Sequence, residues 1–200
     1  MSLAMLVYSL PDASDAVDSF LAFPGLGETW RVQDAIRRFE ANGLSRFLLI
    51  AGHNQTEKTF QEFSLQGLTQ EPYNLTRTKG LIVTARASNT LEQSLWVCEE
   101  IRKNGITSIM LCVSPYHCLR AYLTLLKTAM KHGIKIPILP MPTRIAPQTL
   151  CPEYQIALSE MIPGEIDRIV AYQQKGDVAT YEDLLEYLDW LWSQPLIASY

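Results

Sequence analysis

Apolar runs and polar turns alternate along this chain, most regularly over residues 81–121. LIVTARA runs into SNTLEQ, which opens a helix ending near Gly105, and SIMLCVS then runs into PYHCLRA, which opens another. That is strand, turn and helix, twice over. The same rhythm extends upstream, where residues 19–23 (SFLAF) predict a buried strand stopped by Pro24-Gly25-Leu26-Gly27. Trp30, Val32, Ala35, Ile36 and Phe39 then recur at helical spacing over residues 28–42. Residues 46–52 (RFLLIAG) predict a second strand with the polar turn His53-Asn54-Gln55-Thr56 behind it, and residues 56–70 predict a weak helix before a loop. Residues 81–87, 109–113 and 135–139 predict strands three to five, the last closed by Pro140 and Pro142. Beyond residue 153, apolar positions at three- and four-residue spacing predict a run of helices interrupted at Pro163-Gly164.

Alternating strands and helices of these lengths predict an α/β fold: a doubly wound, mostly parallel sheet of five strands with a C-terminal helical tail. Residues 1–145 would form the domain and 146–200 an extension packed on it. In such a sheet the turns that leave the strands share one edge, where exposed backbone N–H groups and helix N-termini suit an anion. Gly25 and Gly27 read either as a phosphate cradle or as a turn that needs positive φ. Glu28 and Arg31 follow in the first helical turn, where a cation opposes the helix dipole unless it faces an anion. Gly52, His53 and Asn54 end the second strand. Ser88, Asn89, Thr90 and Glu92 end the third, and Ser88 with Glu92 also reads as a capping box. Ser114, Tyr116, His117 and Arg120 end the fourth, with His117 and Arg120 three residues apart on one helical face. Glu165 and Arg168 read as a surface ion pair outside the site, on a helix burying Ile166, Ile169 and Val170.

Composition narrows this picture. With 48% hydrophobic residues in 200 positions and no Gly/Ser-rich or Pro-rich linker, the chain can build one good-sized core. A net charge of -4 and 17 dispersed Lys and Arg argue against a polyanion binder, so no nucleic-acid partner is expected. Cys98, Cys112, Cys118 and Cys151 form no CxxC pair, which points to a reduced, cytoplasmic setting. The N-terminus lacks a basic leader region, and no run reaches the ~20 apolar residues of a membrane span, so no membrane anchor is expected. His53, His117 and His132 are scattered, and no metal site is expected. Aromatic density at Trp190 and Trp192 marks a candidate homodimer face.

Asn89-Thr90-x-Glu92-Gln93 followed by Ser114-x-Tyr116-His117-x-x-Arg120-Ala121 resembles the YdcF/SanA/ElyC-like family of bacterial proteins. The family's glycine-rich turn, helix arginine and second-strand turn fall on Gly25 and Gly27, Arg31, and Gly52. The resemblance covers residues 19–142 and implies a Rossmann-like sandwich with a pocket at the strand ends. It also implies S-adenosylmethionine as a ligand, which a soluble member is reported to bind, while membrane-anchored members act in envelope biogenesis.

Three functions compete. In the first, the pocket binds a nucleotide-like or phosphorylated ligand: Arg31 and Arg120 pair with its anion, the turns donate N–H groups, and Asn89 and Glu92 read hydroxyls or an amine. In the second, the protein is a hydrolase or transferase acting on a phosphoryl or glycosyl-phosphate bond, with His117 as acid or base and Glu92 orienting it or a water. In the third, the tail is an interaction module.

Overall fold

A computed structural model describes residues 3–10, 16–52, 54–84 and 86–198. Five strands, β1 (Ser19–Ala22), β2 (Phe47–Ala51), β3 (Leu81–Thr84), β4 (Ile109–Val113) and β5 (Ile138–Pro142), form one sheet in the order β3-β2-β1-β4-β5. Every pairing is parallel. β1 and β4 are buried at every position, as central strands covered on both faces must be.

After a short α1 (Leu3–Tyr8), α2 (Thr29–Ala41) joins β1 to β2 and buries Val32, Ala35, Ile36 and Phe39, the stripe predicted from spacing. The chain moves outward from β1 through β2 to β3, then crosses back through α4 (Thr90–Asn104) to β4 on the far side of β1. Right-handed crossovers therefore place α2 on one face and α4, with α5 (Pro115–Lys131), on the other. α4 and α5 pack side by side, and the result is the Rossmann-like, doubly wound α/β fold that the alternation predicts.

Three elements depart from their predicted bounds. Residues 56–70 hold only the single turn α3 (Leu65–Leu68), because the apolar residues there are too sparse to bury a longer helix face. β3 ends at Thr84. β5 begins at Ile138 and continues through Pro140 and Pro142, which are tolerated because it is an edge strand and pairs with β4 alone.

Beyond β5 lie a 3-10 turn (Leu158–Met161), α6 (Ile162–Gln174), α7 (Tyr181–Trp192) and the short α8 (Pro195–Ala198). α6 and α7 both pack on α5. Leu158 and Met161 join Tyr116 and Cys151 in a second small core, with Leu26, Trp30 and Ile145 against it. This places the tail over the edge of the sheet where the strands end. All four cysteines are free and buried, and among the described residues no helix is long and apolar enough to cross a membrane.

Candidate functional site

The register aligns Ala22 of β1 with Ile50 of β2 and Cys112 of β4, so the turns after these strands emerge together. The chain leaves β1 toward one side of the sheet and β4 toward the other, which opens a crevice between their ends. A cavity of about 260 Å³ lies there. Gly25, Gly27, Glu28, Arg31, Gly52 and Asn54 line it from the first two turns. Ser88, Asn89 and Thr90 line it from the turn into α4, and Tyr116, His117 and Arg120 from α5. His53 lies outside the described residues.

Two of these glycines are fixed by the protein's own packing. Gly27 has φ +70, and a Cβ on it would lie 2.7 Å from Thr59 Cβ. A Cβ on Gly52 would lie 2.2 Å from Pro24 Cγ, so the end of β2 closes against the turn after β1 only with glycine there. In that turn, the N–H of Leu26 donates to Glu57 Oε2 at 2.7 Å. A carboxylate of the protein thus occupies one of the donors that a phosphate cradle would use. Gln93 closes the same corner, its Nε2 donating to the carbonyls of Pro24 (3.1 Å) and Ala51 (2.5 Å).

Arg31 does not await an external anion. Its Nε donates to Glu28 Oε2 at 2.6 Å and lies 3.0 Å from Ser114 Oγ, while Nη1 donates to the carbonyl of Phe23 and Nη2 to Tyr116 Oη. Ser114 Oγ donates to Glu28 Oε2 and Tyr116 Oη to Glu28 Oε1, at 2.7 Å for the latter. Trp30 Nε1 donates to Ser114 Oγ. The guanidinium and the carboxylate are both almost wholly buried and neutralise each other, which corrects the expectation that Arg31 pairs with a ligand. Glu28, Arg31, Ser114 and Tyr116 are the clasp that holds the β1 and β4 turns together.

Glu92 also takes a different part from the one its spacing suggests. It is exposed, and Oε2 accepts the N–H of Ser88, while the cap residue Asn89 accepts the N–H of Glu92 through Oδ1. It is a helix-cap residue, and the carboxylate on His117 is Glu165. His117 Nδ1 lies 2.8 Å from Glu165 Oε2, and Arg120 Nε donates to the same oxygen at 2.7 Å. Arg120 Nη1 donates to Thr90 Oγ1 at 3.1 Å, and Arg168 Nη1 donates to Glu165 Oε1 at 2.7 Å.

Glu165 is 4% exposed, whereas Ile166 and Val170 are 54% and 53% exposed. α6 therefore turns Glu165 and Ile169, one helical turn apart, toward the body and sends the other predicted core positions to solvent. Reading Glu165 as a surface ion pair is corrected on both counts: it is buried, and with Arg168 it lines the cavity. Nothing in the local sequence signals this, since Ile166, Ile169 and Val170 define an equally good apolar stripe.

The protonation states follow from this geometry. Burial disfavours charge on Glu165, but hydrogen bonds from His117 and Arg120 outweigh it and hold the carboxyl well below the usual range. Burial, aided by the Arg120 charge and opposed by Glu165, pushes His117 down to about 4. The imidazole is neutral near pH 7, and the ionised carboxylate selects the tautomer with the proton on Nδ1. Arg120 Nη2, 3.1 Å from that nitrogen, then meets an N–H and turns to Glu165 Oε1 at 3.2 Å. The Nε2 lone pair has no partner among the described residues, so His117 reaches the cavity as an oriented base or acceptor. No group of His, Cys, Asp and Glu among the described residues is arranged to hold a metal ion.

No family model matches the chain, and neither a curated protein nor a solved structure matches it.

Proposed function

We propose that this protein binds a small phosphorylated or nucleotide-like ligand in the crevice between the ends of β1 and β4. The observation that carries this reading is that Arg120 and Arg168 share one carboxylate, Glu165. Two cations against one anion leave this wall of the cavity net positive. Arg168, whose side chain is 47% exposed, has donors to spare for a ligand oxygen. The resemblance to the YdcF/SanA/ElyC-like family adds S-adenosylmethionine as a candidate ligand. Native mass spectrometry of freshly purified protein tests the proposal. A co-purifying phosphorylated or nucleotide-like molecule supports it, and the lack of one, together with no saturable binding of orthophosphate or nucleotides, removes it.

The pairing of His117 with Glu165 favours a second reading, acid or base catalysis at a phosphoryl or glycosyl-phosphate bond. A base oriented by a buried carboxylate, with its other nitrogen open, is the arrangement such a step needs. Here His117 would take a proton from the attacking water or hydroxyl as its oxygen bonds to the phosphorus or anomeric carbon, and would return that proton to the leaving oxygen as its bond breaks, while Arg120 and Arg168 hold the anionic group. Turnover of a chromogenic phosphate ester by the wild type and its loss in His117→Gln would support this reading; equal turnover in both would exclude it.

A further inference from the structure

The acidic side of the cavity is not explained by an anionic ligand alone. Glu57 lies on the loop after β2, lines the cavity, and is half-buried at the turn after β1. Its Oε2 accepts from Leu26 N at 2.7 Å and its Oε1 from Asn54 Nδ2 at 3.1 Å. A carboxylate has about four acceptor positions, so two remain. The charges across the cavity are therefore sorted: Arg120 and Arg168 stand at the α5–α6 wall, and an acceptor-only group stands at the glycine turn. Glu28, at the start of α2, is buried and neutralised by Arg31, which leaves Glu57 as the open carboxylate of that turn. A diphosphate laid on the turn, where the fold would ordinarily accommodate one, would meet the Glu57 carboxylate. A ligand that satisfies the whole site is anionic at one end and a hydrogen-bond donor at the other.

We infer that Glu57 is a specificity-determining residue that accepts the two vicinal hydroxyls of a ribose, so that the ligand is a ribonucleoside monophosphate with its phosphate toward Arg168. This rests on the proposed anion-binding reading and adds an orientation and a donor group to it. Two adjacent hydroxyls match the two open acceptor positions, as acidic residues on doubly wound sheets match ribose. Phe60 and Phe63, on the same loop and lining the same cavity, offer apolar faces for a base next to the sugar. A cavity of about 260 Å³ suits one nucleotide rather than two. Burial raises the Glu57 carboxyl, and donors from a ligand would relieve that cost.

The test is calorimetric titration of AMP, GMP, CMP and UMP, each against its 2′-deoxy counterpart, with orthophosphate as a separate probe. The expected result is that at least one ribonucleotide binds about tenfold or more tightly than its deoxy form, the loss of one hydrogen bond to a charged acceptor. In Glu57→Gln that ratio should fall toward one, the ribonucleotide losing more affinity than its deoxy counterpart, which keeps only the 3′-hydroxyl. Equal affinity of the ribo and deoxy forms in the wild type overturns the inference without any variant, as does a ratio that survives in Glu57→Gln. Binding of orthophosphate without any nucleotide overturns it while leaving the anion site standing. Failure of orthophosphate and every nucleotide to bind overturns both.

Discussion

Glu165 and His117 lie 48 positions apart in the chain, yet their side chains meet at 2.8 Å inside the protein. Burial and the Arg120 charge keep the imidazole neutral in spite of that contact. A His whose folded pKa is depressed from 6.5 to about 4 binds fewer protons than in the unfolded chain between those values, so stability is lost as pH falls through that window. The loss should be on the order of 3 kcal/mol. Thermal melts from pH 7 to pH 4 should show a smaller decline in His117→Gln than in the wild type, and parallel declines would refute the buried neutral state. Glu165, with its pKa depressed from 4.5, should add a further loss below that pH in both proteins.

Removing Glu165 strands the Arg120 charge in a largely buried position. Glu165→Ala should cost about 3–5 kcal/mol, or roughly 10 °C in melting temperature. Orthophosphate should raise the melting temperature of this variant more than that of the wild type, because the anion takes the place of the missing carboxylate. An equal effect on both would place the anion elsewhere.

The two arginines should separate. Arg168 is half exposed with one bond to Glu165, so Arg168→Ala should leave the melt nearly unchanged and weaken orthophosphate binding by about tenfold. Arg120 holds Glu165 and Thr90 together, so Arg120→Ala should lower the melting temperature as well as the affinity. Reading Arg120 as balanced only by a ligand implies a variant of unchanged or raised stability; its buried partner carboxylate reverses that expectation. Titration beside a thermal melt measures both quantities.

Gly52 and Gly43 make a matched pair. A methyl at Gly52 would overlap the Pro24 ring, whereas one at Gly43 has no neighbour within 4 Å. Gly52→Ala should cost about 1–3 kcal/mol and disturb the glycine turn, while Gly43→Ala should be close to neutral by urea denaturation.

The five-stranded parallel α/β architecture follows from the alternation of strands and helices, and the shared edge carrying the turns follows from parallel pairing; both were legible because they depend on periodicity. Tyr116, His117 and Arg120 could be placed near one another because a strand-to-helix turn leaves little freedom. What the sequence could not supply was partnership. Asn89 and Glu92 carry a capping signal that competes with any binding role, and the cap holds both. Glu165 sits in a helix with two candidate inward faces, and only packing on α5 chooses between them. Glu57 lies in a loop without periodicity, placed by Leu26 and Asn54 through tertiary contact.

The loop carrying Glu57 is itself held from far along the chain: Glu153 accepts the N–H groups of Lys58 and Thr59 and the hydroxyl of Thr59. With Glu165 beside His117, both chemical ends of the cavity depend on segments made after β5. On the ribosome the sheet can assemble while the cavity still lacks its walls, because contacts so distant in sequence close late. Under the proposed function, a nascent chain gains affinity for the ligand abruptly, once α6 has emerged and docked, so that binding would report the completion of synthesis through that helix.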